Sequence, residues 1–318
     1  MYICIEFDKK GYNIMEFYSK SKYIDELGIP FRVHFFSQRL ELMHHHDFDE
    51  LVVIQSGSGI HRTDTMDTPV SAGDVFFIRK GENHMYINSR QLKIVNVMFD
   101  SSTLDINWEQ LNNISGYKAL FETEPKFRKK TGFRGKLTIN SDLLNEVHII
   151  LQKIQREMNS RQSGWYQMSL TLLQELLIIL ARSYSSTEIK ESRKMMRLSR
   201  MVQFIEKNYA SELTRDQIIA SGNVSNAVGT RIFRELLGKT PIGYLNSVRL
   251  NHAIERLKNG SESIADVARL CGFKDSNYFS SSFRKATGFS PRCFIRWQGE
   301  KNSGNFTSKA QEYPAEQD

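Results

Sequence analysis

Fifty residues separate two versions of one pattern. "RIFRELLGKTPIGYL" (231–245) and "SSFRKATGFSPRCFI" (281–295) align Phe233 with Phe283, Arg234 with Arg284, Gly238 with Gly288, Pro241 with Pro291, Tyr244 with Phe294 and Leu245 with Ile295. Such a period means two copies of one supersecondary unit. Each copy reads as helix, turn, helix. In the second, "SIADVARL" (263–270) puts Ile264, Val267 and Ala268 on one side, and Gly272 is free to take a positive φ in the turn. Asp275 or Ser276 can cap the next helix, where Phe279 and Phe283 lie one turn apart and face inward.

The opposite face of that helix carries Ser276, Asn277, Ser280 and Ser281. Short polar side chains on the second helix of a helix-turn-helix reach base edges in the major groove, and Asp275 and Arg234 join this candidate set. In the first copy Ser225 is the expected cap, and Asn226, Ala227, Thr230 and Arg231 face outward. Arg231 can pair two donors with a guanine edge. Between the copies, Pro241 and Gly260 bracket a helix of about sixteen residues, about 24 Å long. That spacer suits two recognition helices set near the ~34 Å of one DNA turn. Charge agrees with a polyanion partner. Of a net +7, residues 193–298 hold 18 Lys and Arg against 8 Asp and Glu, whereas residues 1–192 hold 23 against 24. A solvated basic surface explains the charge equally well.

"GFKDSNYFSSSFRKATGFSP" (272–291) resembles the signature of the AraC/XylS transcription regulators, and the similarity covers about residues 200–297. The resemblance implies two helix-turn-helix units docked in successive major grooves of double-stranded DNA. It implies contact of Asp266 with the polymerase sigma subunit; a solvated or capping acid is the alternative. The first copy departs from the family pattern at Ile219, Gly222 and Gly229. Gly229 stands where the second copy has Phe279. A mid-helix glycine costs about 1 kcal/mol against Ala and is expected to leave a gap, making the first copy the softer one.

Upstream the period changes. "ELVVIQSG" (50–57), "GIHRTD" (59–64), "DVFFIRKG" (74–81), "HMYINS" (84–89) and "LKIVNVMFD" (92–100) are strand candidates, so a sandwich or barrel is expected. Residues 101–141 are mixed. Leu144, Val147, Leu151, Ile154 and Met158 form a heptad seam on one helix face, and a second helix follows over about 166–183. The seam serves packing against the barrel, dimerisation, or both. "SSTEIKESRKMM" (185–196) reads as a linker, and the polar tail from Gly299 as disordered. Cys4, Cys271 and Cys293 form neither a disulfide framework nor a zinc pattern. The start "MYICIEFDKK" lacks a basic leader, and "LTLLQELLIIL" (170–180) is too short to span a bilayer. A cytoplasmic protein with no membrane partner is expected.

Within the strand region, "HHHDFDELVVIQSG" followed by "GDVFFIRKGENHMYIN" resembles a cupin barrel. His44, His46, Glu50 and Gly57 fit its first motif; Gly73, Gly81, His84 and Asn88 fit the second, with Arg79 in place of the usual Pro. Residues 44 and 46 share one side of a strand. His44, His46, Glu50 and His84 can therefore face one point. Three readings stay open: a metal-free pocket for a small ligand's hydroxyls, which we favour; the same pocket with a divalent metal on these four residues; or structural polar groups. Arg32 is a further ligand candidate. The whole chain is similar to the L-rhamnose-responsive activators of the AraC/XylS family, which implies L-rhamnose or a related sugar as effector.

These readings combine into an α+β multidomain chain: a cupin-like sensor (1–140), a helical dimerisation segment (141–184), a linker (185–196), an all-α DNA-binding domain with two helix-turn-helix units (197–298) and a tail (299–318). The expected function is a sugar-controlled, homodimeric regulator, an activator rather than an enzyme, with no cofactor required. The alternatives are a metal-dependent cupin enzyme fused to DNA-binding helices, and a ligand-independent repressor.

Overall fold

The structure is a computed structural model that describes residues 16–24, 31–37, 42–131, 136–187, 189–259 and 262–302. The chain forms two compact units that divide between Arg200 and Met201, with Glu235–Leu237 counted with the first.

The first unit is built on an eight-stranded sheet: β1 (Glu16–Tyr18), β2 (Phe31–Ser37), β3 (His44–His46), β4 (Asp49–Thr63), β5 (Asp67–Ser71), β6 (Asp74–Ile78), β7 (His84–Phe99) and β8 (Leu137–Thr138). The path runs β1-β3-β7-β4-β6-β8, with β2 on β7 and β5 on β4. A short helix α1 (Lys20–Tyr23) follows β1. The sheet confirms the β-rich sensor, with one difference. The segments read as separate strands at 50–57 and 59–64 are one strand, as are those at 84–89 and 92–100. Their pairing runs across register shifts between Ile54 and Ile60. Gly57 makes this continuity feasible: its φ is 79°, and a Cβ there would lie 2.3 Å from the Gln91 carbonyl oxygen.

Both faces of the sheet are buried. Leu51, Val53, Val95 and Val97 face the helices, while Val52, Ile54, Phe76, Ile78 and Ile94 fill the other side. The mixed stretch becomes α2 (Trp108–Asn112), α3 (Ser115–Tyr117), a π-helical turn over Lys118–Thr123 and α4 (Glu124–Thr131). Then come α5 (Ser141–Ser160), capped by Asn140 Oδ1, and α6 (Trp165–Ser186). The seam is on α5, but it faces inward. Val147, Leu151 and Ile154 are fully buried, Met158 is nearly so, and Leu144 packs against the same core. Each such side chain contributes roughly 1.5–3 kcal/mol of burial to its own unit. The expected dimer seam is therefore the attachment of α5 to the sheet and α6, and it is not available to a second subunit.

The expected linker is also corrected. α6 runs to Ser186, and α7 (Lys190–Asn208) begins four residues later. Ser192, Met195 and Met196 are buried, so this polar-looking stretch carries its own apolar stripe. Of the tail, Gly299 to Asn302 continue a helix, and residues 303–318 lie outside the described residues, as do Cys4 and Gly260.

In the second unit the repeat holds at fifty residues from the second helix of each copy onward, while the first helices are offset by 49. α8 (Arg215–Ala220), α9 (Asn226–Leu237) and α10 (Pro241–Asn259) are matched by α11 (Ile264–Leu270), α12 (Ser276–Thr287) and α13 (Pro291–Asn302). Gly238 and Gly288 end α9 and α12 in the left-handed region. Gly272 takes φ 82°, where a Cβ would meet the Tyr209 carbonyl oxygen at 2.7 Å. In the first copy Asn223 (φ 54°), not Gly222, holds that turn. α10 has 19 residues, longer than expected, and so is about 28 Å long.

The gap expected at Gly229 does not exist. A Cβ on Gly229 would sit 2.5 Å from Ile219 Cγ2, and Ile219 is fully buried. In the second copy the corresponding pair is the small Ala268 and the large Phe279, both buried. The two copies fill one contact with opposite partners, large over small and small over large. Ile219 fills the space that a side chain at 229 would need, so no gap is left at that point.

Candidate effector pocket and nucleic-acid interface

Local pairing assembles the histidines. His44 on β3 pairs with His84 on β7, and Thr63 of β4 pairs with His84 from the other side. Glu50 stands on the same sheet face as Val52 and Ile54. His44, His46, Glu50 and His84 are all buried, the most exposed at 4%. The ring centres of His44 and His84 are 4.1 Å apart, and those of His46 and His84 are 5.2 Å apart. Glu50 Oε2 lies 3.8 Å from His46 Nε2 and 3.5 Å from His84 Nε2.

Each imidazole is held the same way. Nδ1 of His44 donates to the Leu42 carbonyl at 3.0 Å, that of His46 to Phe48 at 2.6 Å, and that of His84 to Glu82 at 3.2 Å. A carbonyl cannot donate, so Nδ1 carries the proton in all three. Burial, above all else, pushes the His44 imidazole down to about 3 and those of His46 and His84 to about 4. At neutral pH the rings are therefore uncharged, and Nε2 is a lone-pair acceptor. His46 Nε2 and Glu50 Oε2 are buried with no hydrogen-bond partner.

Sequence reasoning missed three contributors. Asn96 on β7 donates to Glu50 Oε1 at 2.6 Å, which aims Oε2 at the imidazoles. His61 is fully buried, with its ring centre 5.6 Å from His84 and 5.2 Å from Tyr86. Counting by twos from Glu50 along β4 puts residue 61 on the wrong face. The register shifts invert the alternation, so this signal was not readable. Tyr18 stacks on His44 at 4.5 Å. Arg32 shares the pocket face: Glu50 pairs with Met98, and Met98 with Arg32. It is two strands from Glu50 and donates to the Tyr23 carbonyl, so the structure does not bring it to the histidines.

The nucleic-acid candidates lie on the outward sides of α9 and α12. Asn226, Ala227, Thr230, Arg231 and Arg234 line one open groove of about 420 Å³ together with Arg215, which was not anticipated. Asn226 Nδ2 donates to Asp216 Oδ1 at 3.2 Å. On α12, Ser276, Asn277 and Ser281 are exposed and Ser280 is half-buried. Asp275 is the expected cap of α12, its carboxylate accepting from the Asn277 and Tyr278 amides. Tyr278, 51% exposed beside them, is a surface aromatic that was passed over. Asp266 is exposed and locally engaged, accepting from Ser263 Oγ at 2.7 Å and from Arg269 at 3.2 Å. Those bonds support its capping role.

A sheet-borne cluster of buried polar acceptors and a tandem helix-turn-helix on one chain define the class of a DNA-binding regulator with a sensor domain. Two family models agree: the AraC-like ligand binding domain matches residues 32–130, and a helix-turn-helix domain matches residues 222–296. The chain is 32% identical over 250 residues to the HTH-type transcriptional activator RhaS of Enterobacter sp. (strain 638), covering 78% of this chain and 85% of that one. It is 28% identical to RhaS of Klebsiella pneumoniae (strain 342), with the same coverage. An AraC-type regulator structure from Chromobacterium violaceum is 31% identical over 33% of this chain and 93% of its own, with a TM-score of 0.31. The chain belongs to the AraC family of transcriptional regulators. Among the described residues, no helix is long and apolar enough to cross a membrane.

Proposed function

We propose that the protein is a transcriptional activator whose effector is L-rhamnose or a closely related sugar, seated on His44, His46, Glu50 and His84. One observation carries this reading: a buried cluster of acceptors, two of them without hydrogen bonds, on the sensor of a DNA-binding regulator. Sugar hydroxyls both donate and accept, and they match such a floor. The role of the RhaS relatives as transcriptional activators supports the sign of regulation. The regulator acts in the cytoplasm as a homodimer, through a surface other than the α5 seam. The sensor has a binding role, not a catalytic one. Polymerase sigma-subunit contact is assigned to Asp266, to be tested by substitution.

A second reading is favoured by one observation. His46, Glu50 and His84 bring one ligand atom each within 4.8 Å of one another. Two neutral acceptors beside a carboxylate oxygen fit a divalent cation, and the Nδ1–carbonyl bonds orient the imidazoles as metal ligands are oriented. Such an ion would supply a Lewis-acid anchor for ligand hydroxyls.

The test is a thermal-shift titration of the full chain with L-rhamnose and other monosaccharides, with and without EDTA. Saturation at a hundred times the dissociation constant adds about 2.7 kcal/mol. A sugar-specific shift that survives EDTA supports the metal-free pocket, and one abolished by EDTA supports the metal. No shift with any sugar overturns the sugar assignment.

A further inference from the structure

One buried charge is bonded to the loop that holds His84. Arg128 is 5% exposed. A buried guanidinium is costly unless fully paired. Its Nε and one terminal nitrogen donate to the two oxygens of Glu124 at 3.1 and 2.6 Å. The other terminal nitrogen donates to Glu82 Oε2 at 3.1 Å, and the Phe77 carbonyl accepts as well.

Glu82 belongs to the loop between β6 and β7, which is fastened to the pocket twice. Its carbonyl accepts from His84 Nδ1, and the neighbouring Gly81 amide donates to the His46 carbonyl at 2.8 Å. On the other side, Arg128 sits on α4, which continues without a break from the π-helical turn Lys118–Thr123. Thr123, the last residue of that turn, donates to Ser199 Oγ at 3.0 Å, both residues being buried. Ser199 is on α7, the helix within which the chain passes from the first compact unit to the second.

We propose that Arg128 is the coupling residue of the sensor, linking His84 through Glu82 to α4, and through Thr123 to Ser199 on α7. The inference rests on the pocket being the effector site. The weak link is identifiable. Glu124 grips the guanidinium with both oxygens from four residues away on the same helix, and its side chain is 1% exposed. Glu82 holds it by one bond from a loop, with its side chain 21% exposed. A ligand that draws His84 inward therefore loosens Glu82 first. The π-helical turn supplies the element with two arrangements, because its i→i+5 bonds can revert to the commoner α pattern and turn α4.

The experiment is amide exchange on the full chain in four forms: wild type, Glu82→Gln, Thr123→Val and the double variant. Both substitutions preserve side-chain shape. In the wild-type background, Glu82→Gln speeds exchange of α7 amides 196–200 by about tenfold, within the usual range of coupling between sites. In the Thr123→Val background it has no effect there. An α7 that ignores Glu82→Gln, or responds equally in both backgrounds, overturns the proposal. So does a uniform rise across β4, β7 and α7, which is general loosening. A further arm adds L-rhamnose. If it slows no amide in β3 or β7 of the wild type, the effector assignment fails, while the four-form comparison still decides the coupling.

Discussion

Ile219 and Gly229 can be set against each other quantitatively. Taken alone, Gly229→Ala in the middle of α9 gains about 1 kcal/mol of helix propensity. The structure reverses that sign. The new methyl would lie 2.5 Å from Ile219 Cγ2, closer than real carbon contacts come, and 3.0 Å from Cγ1. Ile219 is fully buried and β-branched on a helix, so it has one favoured rotamer and nowhere to move. Overpacking of this kind costs about 1–3 kcal/mol, so the single substitution is neutral to destabilising by about 2 kcal/mol. Ile219→Ala alone leaves a cavity and costs about 2–5 kcal/mol. With Ile219 already Ala, both clashing γ carbons are gone, and Gly229→Ala should stabilise by about 1 kcal/mol. The two effects therefore differ by about 1–3 kcal/mol, a coupling measurable in a double-mutant cycle. Native-state amide exchange in α8 and α9 reads this locally, without assuming that a two-unit chain unfolds in one step. If Gly229→Ala stabilises α9 equally in both backgrounds, the exchanged-volume account of the first repeat is wrong.

Other expectations follow from the site and core. Arg231→Ala should cost about 1–3 kcal/mol of operator binding without equal loss on scrambled DNA, measured by competition at fixed salt; equal loss on both would make Arg231 a phosphate contact. His44, His46 and His84 are held near 3–4 in the folded chain, against about 6.5 unfolded. The unfolded chain thus binds protons that the folded one refuses. Stability is intact above pH 6.5 and falls as pH drops towards 4, by roughly 2 kcal/mol per imidazole at pH 5. A flat midpoint for the sensor unit between pH 7.5 and 5 would contradict this. Leu151→Ala should cost the sensor unit about 2–5 kcal/mol and leave the oligomeric mass of the folded protein unchanged in light scattering. Dissociation of an oligomer without loss of stability would restore the seam as an interface.

What the sequence disclosed follows the range of each signal. The repeat was legible because its caps, glycines and prolines act locally, and α9 and α12 begin at residues fifty apart, as the alignment demands. His44 and His46 were legible because short spacing along a strand fixes a face, and Glu50 and His84 because they fit the two motifs of the cupin resemblance. Less was legible where partners are distant. A heptad seam has the same pattern whether it packs on a second chain or on its own sheet. Asn96 meets Glu50 across 46 residues, and no local rule announces the pair. His61 escaped because register shifts invert the alternation on which strand reading depends. Residues 101–131 escaped because a π-helical turn has no period of its own to detect, and the pairing of Arg128 with Glu82 spans 46 residues.

The fixed tautomers give the pocket a polarity. With every Nδ1 proton committed to a backbone carbonyl, His46 and His84 present only lone pairs, and Glu50 Oε2 adds a third acceptor beside them. A neutral sugar can point its hydroxyl hydrogens at all three. A phosphate ester of the same sugar would bring negative charge against these three acceptors, in a setting too dry to screen the repulsion. If the proposed sugar is the effector, this floor predicts that its phosphate ester binds more weakly, which the same thermal-shift titration reads directly.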